Sequence, residues 1–216
     1  MSGFDDFKQT MSEYLESNGY DLSIISNLHD TSVNDADLKK IVYLYNGKKD
    51  LEVIDMDLIA KQAYRDIKRA AQISNNFINT ADAFVINQDN KWYFIEFKDA
   101  VIKSDNDKLK SNVLKKAYSN WYMVLDVLYS MKAQGKLYLD FEYDDPIQFA
   151  KKNVYYILVC SEDKNPNTYI QIKNYDLIGE KYTPVFMQRL KDYLFKDAYV
   201  YTEKFLERKL VERFIY

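Results

Sequence analysis

Apolar residues recur at helical spacing in several stretches of the chain. Near the N-terminus the spacing of Phe4, Phe7 and Met11 predicts one helix in an otherwise polar and irregular segment. Asp55 is typical of a helix N-cap, because an apolar series from residue 59 to 71 follows it. A third apolar stripe predicts a long helix over residues 108–131, and its members are Val113, Leu114, Ala117, Trp121, Val124, Leu125 and Leu128.

Other segments have the short β-branched and aromatic runs that are typical of strands. Residues 51–54 predict a short strand, and residues 83–87 and 92–97, with a turn-rich stretch between them, predict a β-hairpin. Residues 153–160 are apolar without alternation, which indicates a strand that is buried on both faces. Residues 168–172 predict a further strand.

The C-terminal part predicts two more helices, and the order of elements defines the fold class. One helix is expected to start at Thr183-Pro184, with proline in its first turn, and a last helix after Thr202. The resulting alternation predicts an α/β fold with a mixed central sheet flanked by helices. The length of 216 residues predicts a single domain over residues 1–216. Its N-terminal helical addition would span 1–50, and a C-terminal strand with helices over 161–216 would complete the domain.

Scarce residue types exclude several kinds of chemistry. The chain has one histidine, His29, and one cysteine, Cys160, so it cannot form an intramolecular disulfide or a zinc site of Cys and His ligands alone. His29 is expected to be an ordinary loop residue and Cys160 an inert core residue. The five glycines are scattered, which excludes the two common glycine-rich phosphate-binding loops. Catalysis by this chain would therefore depend on carboxylates, lysines and a metal ion.

Charge and hydropathy restrict the partners and the location. The net charge of -3 and the pI of about 5.4 provide no global attraction to nucleic acid, so a nucleic-acid partner needs a local basic surface. The first predicted core helix and the segment around the start of the second are basic and could contact phosphates, although a solvated helix face is the simpler interpretation. Their basic residues are Lys61, Arg65, Lys68, Arg69, Lys103, Lys108, Lys110, Lys115 and Lys116. No apolar run has the length of a signal peptide or a membrane span, so we expect a cytoplasmic protein without membrane contact.

Two acidic residues become neighbours if the predicted hairpin closes through residues 88–90. In that register Phe84 faces Phe94, and Asp82 falls directly opposite Glu96. Their Cβ atoms would lie roughly 4.5 to 5.5 Å apart, which destabilises a sheet unless something compensates the repulsion. A five-residue loop would preserve this register, whereas a two- or four-residue loop would destroy it.

A divalent cation compensates such a carboxylate pair well. Oxygen ligands from two carboxylates and water suit Mg²⁺ or Mn²⁺ better than zinc. Lys98 follows Glu96 by two residues and points to the same face of the strand. The acid-x-Lys tripeptide alone is a weak motif, because it recurs seven times in the chain, but the copy at Glu96 ends a buried strand, where an unpaired charge is costly.

These residues carry a resemblance to the PD-(D/E)xK, or restriction-endonuclease-like, phosphodiesterase superfamily. The resemblance covers residues 51–160 and implies a restriction-endonuclease-like core with divalent-metal-dependent nuclease activity. It implies that Asp82 and Glu96 bind Mg²⁺ or Mn²⁺, that the Phe97 backbone carbonyl is a third ligand, and that Lys98 orients the attacking water. Ala81 stands where the motif has its nominal proline. The first core helix lacks an obvious glutamate, so the number of metal ions stays open, with Asp57 as the nearest substitute acid.

The resemblance also implies a polar contribution from the second core helix. Lys116 and Ser119 lie beside its apolar stripe and could reach a substrate phosphate. The implied partner is nucleic acid, DNA in preference to RNA, and a homodimer is left open.

Three alternatives compete with the nuclease hypothesis. The charges of Asp82, Glu96 and Lys98 could form only a buried ion-pair cluster or a surface ladder. The chain could keep the same fold as a noncatalytic module that binds nucleic acid or a protein. It could also be an assembly protein that uses the aromatic residues of 191–216, although these could simply close the core.

Overall fold

The fold centres on a six-stranded mixed sheet. The structure is a computed structural model that describes residues 3–34, 41–73, 78–102, 107–139, 141–142 and 144–214. The strands are β1 (Ile25–Asn27), β2 (Val33–Asn34), β3 (Val42–Tyr43), β4 (Glu52–Asp55), β5 (Ala83–Ile86), β6 (Trp92–Lys98), β7 (Val154–Cys160) and β8 (Asp197–Thr202). The large sheet has the order β1-β4-β5-β6-β7-β8, and β2 and β3 form a separate two-stranded sheet.

Helices connect the strands. They are α1 (Gly3–Ser17), α2 (Leu28–Thr31), α3 (Met56–Ile59), α4 (Arg65–Ala70), α5 (Asp107–Ala133), α6 (Pro146–Asn153), α7 (Pro166–Leu177), α8 (Gln188–Tyr193), α9 (Glu203–Leu206) and α10 (Glu212–Phe214). A π-helical turn, Ala60–Tyr64, joins α3 to α4, and another, Glu207–Val211, joins α9 to α10. No helix among these ranges is long and apolar enough to cross a bilayer.

The sheet changes direction in its middle. Strands β1, β4, β5 and β6 pair antiparallel, whereas β6, β7 and β8 pair parallel. Helices α5 and α6 lie between β6 and β7 in the chain, and α7 and α8 lie between β7 and β8, because parallel neighbours need long crossover connections. The predicted α/β fold with a mixed, helix-flanked sheet is therefore confirmed.

The elements around the hairpin also follow the predictions. The Asp55 carboxylate accepts a hydrogen bond from the Leu58 N–H (2.8 Å), so Asp55 is the N-cap of α3. In the hairpin the Asn87 N–H donates to the Lys91 carbonyl (2.9 Å), and Asn90 has a φ of +54°. Asparagine tolerates this left-handed conformation, which a three-residue hairpin loop requires. The loop and its register are therefore as predicted.

The predicted strand at residues 168–172 is wrong. These residues lie inside α7, which begins after Asn165 with Pro166 in its first turn. Their β-branched and aromatic side chains are typical of a strand, but proline at the first position of a helix favours helix. The C-terminal strand of the sheet is instead β8, which the sequence prediction missed together with α6.

The terminal segments complete the sheet as well as adding helices. Strand β1 pairs with β4 at one edge, and β8 pairs with β7 at the other. Without them β4 and β7 would expose unpaired backbone groups. The C-terminal aromatics support this role, since Phe195, Tyr199 and Phe205 are buried, although Tyr193 is exposed. Packing therefore accounts for most of the aromatic residues that suggested an assembly surface.

Candidate active site

Asp82 and Glu96 meet across the hairpin as the sequence predicted. Ala83 pairs with Ile95, and the Asp82 N–H donates to the Ile95 carbonyl (3.1 Å), which sets Asp82 opposite Glu96. The Phe97 N–H donates to Asp82 Oδ2 (2.6 Å) and so fixes the orientation of this carboxylate. The Glu96 side chain is fully buried. Two carboxylates thus lie side by side where water solvates them poorly.

Two lysines, and not one, neutralise this pair. Lys98 Nζ lies 2.6 Å from Glu96 Oε1. Lys116 reaches over from α5 and places its Nζ 2.9 Å from Glu96 Oε2 and 3.3 Å from Asp82 Oδ1. With both carboxylates ionised, the four groups together are neutral. We call Asp82, Glu96, Lys98 and Lys116 the charge cluster.

Burial and neighbouring charges shift the pKa values of Asp82 and Lys116 in the charge cluster. Burial raises the pKa of Asp82, and the Glu96 carboxylate raises it further, whereas Lys116 and the Phe97 N–H act in the opposite direction. Burial lowers the pKa of Lys116, but the Glu96 and Asp82 carboxylates outweigh that effect and leave the pKa raised. Lys116 is therefore a firmly charged cation at neutral pH.

The charge cluster borders a cleft of about 820 Å³. Asp82, Phe97 and Lys98 line it from the sheet, and Lys116 lines it from α5. The aspartates among its described lining residues outnumber the lysines, five to three: Asp30, Asp55, Asp57, Asp82 and Asp99 against Lys61, Lys98 and Lys116. Such an acidic cleft favours a cation, and a polyanion could enter only with local positive charge.

Asp57 belongs to the same cleft, although the sequence offered little reason to select it. Its Oδ1 accepts a hydrogen bond from the Thr80 hydroxyl (2.7 Å), and its Oδ2 accepts one from Lys61 Nζ (2.8 Å). Its negative charge raises the pKa of both Asp82 and Lys116. Asp57 therefore acts electrostatically on the charge cluster from the first core helix.

Ser119 and the predicted basic surface contribute less than expected. Ser119 is partly exposed on α5 and does not line the cleft among the residues that the structure describes. On the first core helix Lys68 pairs with Asp126, and Arg69 pairs with Asp66. Residue 103 lies outside the described ranges. Acidic partners thus neutralise part of the surface that was predicted to contact phosphates.

Asp82 and Glu96 are suitable ligands for a hard divalent cation. The described part of the chain holds no group of three or more His, Cys, Asp or Glu side chains that could bind a metal. Mg²⁺, however, commonly takes only one or two protein carboxylates and keeps several waters. The donor set supports this fit, because Asp82 and Glu96 offer oxygen ligands only and Asp82 lines the open cleft. The role of the Phe97 carbonyl stays a prediction.

Two features of the site were beyond sequence reasoning. Lys116 was selected as a phosphate ligand, but the structure places it on the carboxylates. Asn120, one turn after Lys116, is buried; its amide donates to the Lys116 carbonyl (2.8 Å), and its Oδ1 has no hydrogen-bond partner among the described atoms.

Comparison with protein-family models, curated proteins and solved structures finds no match to this chain.

Proposed function

We propose that the protein is a divalent-metal-dependent nuclease that hydrolyses phosphodiester bonds in nucleic acid. The observation that carries this proposal is the buried carboxylate pair Asp82 and Glu96, with Lys98 beside it, at the edge of an open acidic cleft. From α3 to β7 the chain has a helix, two antiparallel strands, two helices and a returning strand, which agrees only in part with a restriction-endonuclease-like core, because the third antiparallel strand, β4, comes before α3. That agreement is a fold-level analogy, and the site provides the stronger support.

In this mechanism Asp82 and Glu96 would hold Mg²⁺ or Mn²⁺. The bound ion would supply Lewis-acid polarisation of the scissile phosphate and lower the pKa of a water molecule. The Lys98 ammonium, next to Glu96 and open to the cleft, would orient that water and stabilise the negative charge that develops on the phosphate. The Phe97 N–H holds Asp82 in place through its hydrogen bond.

The substrate would lie in the cleft between the sheet and the two core helices. Because this cleft is acidic, a nucleic acid would bind mainly through the bound cation and through Lys98 and Lys116. DNA in preference to RNA, a homodimer and a cytoplasmic location remain predictions.

Hydrolysis assays test the proposal. Purified protein is incubated with duplex DNA, single-stranded DNA and RNA in Mg²⁺, Mn²⁺ or EDTA. Asp82→Asn, Glu96→Gln and Lys98→Met should each reduce cleavage by about 100-fold or more. Asp89→Asn is the matched control, since Asp89 begins another acid-x-Lys tripeptide at the exposed loop of the same hairpin. Cleavage that survives Asp82→Asn and Lys98→Met would reject the site assignment.

A second candidate is a noncatalytic module that binds nucleic acid or a protein through the same fold. The neutrality of the charge cluster favours it, because Lys98 and Lys116 already compensate both carboxylates without a metal. A ligand that binds only the folded state raises the melting temperature. A nuclease with this site should therefore be stabilised by Mn²⁺, and the stabilisation should disappear in Asp82→Asn. If Mn²⁺ does not change the melting temperature and no hydrolysis is detected, the noncatalytic module is favoured.

A further inference from the structure

Lys116 occupies the position between the two carboxylates. Its Nζ contacts Glu96 Oε2 at 2.9 Å and Asp82 Oδ1 at 3.3 Å, so a single ammonium bridges residues of two neighbouring strands. Lys116 itself comes from α5, a different element from the hairpin. A divalent cation bound by Asp82 and Glu96 would bridge the same two carboxylates.

The ammonium and a divalent cation would compete for this position. Each cation would be stabilised by the same two negative charges, on Glu96 Oε2 and Asp82 Oδ1. Two cations so close also repel each other strongly in a poorly solvated site. Lys98 does not compete with a divalent cation in this way, since its ammonium contacts only Glu96, at the other carboxylate oxygen, Oε1.

The Lys116 side chain has space into which it can move. It lines the cleft and is 15% exposed, and its four-carbon stem is flexible. Asp57 on the first core helix lines the same cleft and attracts the ammonium. A displaced Lys116 would therefore stay inside the cleft, where a substrate phosphate would lie.

We propose that Lys116 is a displaceable internal counter-ion. Its ammonium neutralises Asp82 and Glu96 while no metal is bound, and it moves into the cleft and becomes available to a substrate phosphate when a divalent cation binds. This inference rests on the proposed function, since it assumes that Asp82 and Glu96 bind the cation. It couples metal binding to substrate binding through one side chain, and it makes Lys116 a competitor of the metal.

Lysine acylation in the wild-type protein tests the displacement directly. An acylating reagent is applied with and without Mn²⁺, and the modification of each lysine is quantified by mass spectrometry. Lys116 should be protected without Mn²⁺ and should become several-fold more reactive with it. Lys115, its exposed neighbour on α5, is the control and should not change. Unchanged reactivity of Lys116 at a Mn²⁺ concentration that saturates the protein would overturn the inference.

Calorimetric titration with Mn²⁺ provides a second and independent measurement. Lys116→Met removes the competing charge and should bind Mn²⁺ at least about tenfold more tightly than wild type, whereas Lys115→Met should equal wild type. Equal Mn²⁺ affinity of Lys116→Met and wild type would overturn the inference and leave the proposed nuclease intact. Absence of Mn²⁺ binding in all three proteins would instead reject the metal site and the inference with it. If Lys116→Met does not fold, the acylation result decides.

Discussion

Glu96 is the fully buried member of the charge cluster, and loss of its charge should destabilise the protein. Glu96→Gln removes a fully buried carboxylate that contacts Lys98 at 2.6 Å and Lys116 at 2.9 Å. The variant leaves two ammonium groups with Asp82 alone. We expect Glu96→Gln to lower the free energy of unfolding in EDTA, because the ammonium groups of Lys98 and Lys116 lose a negative partner where water solvates them poorly.

The magnitude follows from the two contacts. At an effective dielectric constant of about 20, each contact is worth about 6 kcal/mol of gross Coulomb attraction. The desolvation of the carboxylate offsets most of this attraction, and removal of one partner of a buried ion pair costs about 3 to 5 kcal/mol. We therefore expect a loss of about 4 kcal/mol for Glu96→Gln. Lys98→Met should cost less, about 1 to 2 kcal/mol, because Lys98 is 28% exposed.

A double-mutant cycle isolates the interaction. Glu96→Gln, Lys98→Met and the double variant are unfolded in urea at neutral pH with EDTA, and unfolding is followed by the fluorescence of Trp92 and Trp121. The double variant keeps the neutral pair of Asp82 and Lys116, so it should be more stable than additivity predicts, by about 2 kcal/mol.

An exposed ion pair provides the matched control. Lys152 and Glu142 lie 3.9 Å apart and are 61% and 59% exposed. The cycle of Glu142→Gln and Lys152→Met should give a coupling below about 0.5 kcal/mol, because water screens exposed pairs. If the coupling of Glu96 and Lys98 is as small as that of the control pair, the buried charge cluster does not stabilise the protein as argued.

Three further predictions concern residues outside the charge cluster. Burial raises the pKa of the Cys160 thiol to about 12 from an ordinary 9.0, so the folded protein should resist a thiol-specific reagent at pH 9 and react only after unfolding. As the pH rises, this thiol ionises in the unfolded chain before it ionises in the folded protein. The free energy of unfolding of wild type should therefore fall relative to that of Cys160→Ser between about pH 9 and pH 12. An equal dependence of both stabilities on pH would contradict the burial effect. Gly47→Ala should lower the free energy of unfolding by about 1 to 2 kcal/mol in urea denaturation, because its Cβ would collide with the Glu207 carboxylate and with the buried Tyr45 ring; an unchanged midpoint would contradict this collision. Asp55→Ala should cost about 1 kcal/mol by the same assay, because the Leu58 N–H loses its acceptor, and Asp55→Ser should restore most of that loss.

Local sequence patterns were sufficient for much of the fold. The apolar stripe of α5, the N-cap at Asp55 and the three-residue hairpin loop all depend on residues that are close in the chain. Helical periodicity, capping and turn conformation are local properties, so they can be recognised without knowledge of the tertiary structure. The register of the hairpin is also local, and it brought Asp82 and Glu96 together correctly.

Segments whose conformation depends on distant partners were predicted poorly. Residues 168–172 have the β-branched and aromatic composition of a strand but lie in α7, and β8 was missed although its residues are mostly buried. β8 exists as a strand because it pairs with β7, about forty residues earlier in the chain. Strand formation of this kind depends on cross-strand pairing and burial, which are tertiary properties.

The candidate site divides in the same way. The sequence by itself was sufficient to bring Asp82, Glu96 and Lys98 together, because one tight hairpin places all three on one face of the sheet. Only the tertiary structure decided their electrostatic state. Lys116 lies 34 residues from Asp82 and 20 from Glu96 in the chain, and the packing of α5 against the sheet brings its ammonium between them. A side chain's charge is evident from sequence, whereas its partner depends on which elements pack together, since the attraction acts only over a few ångströms.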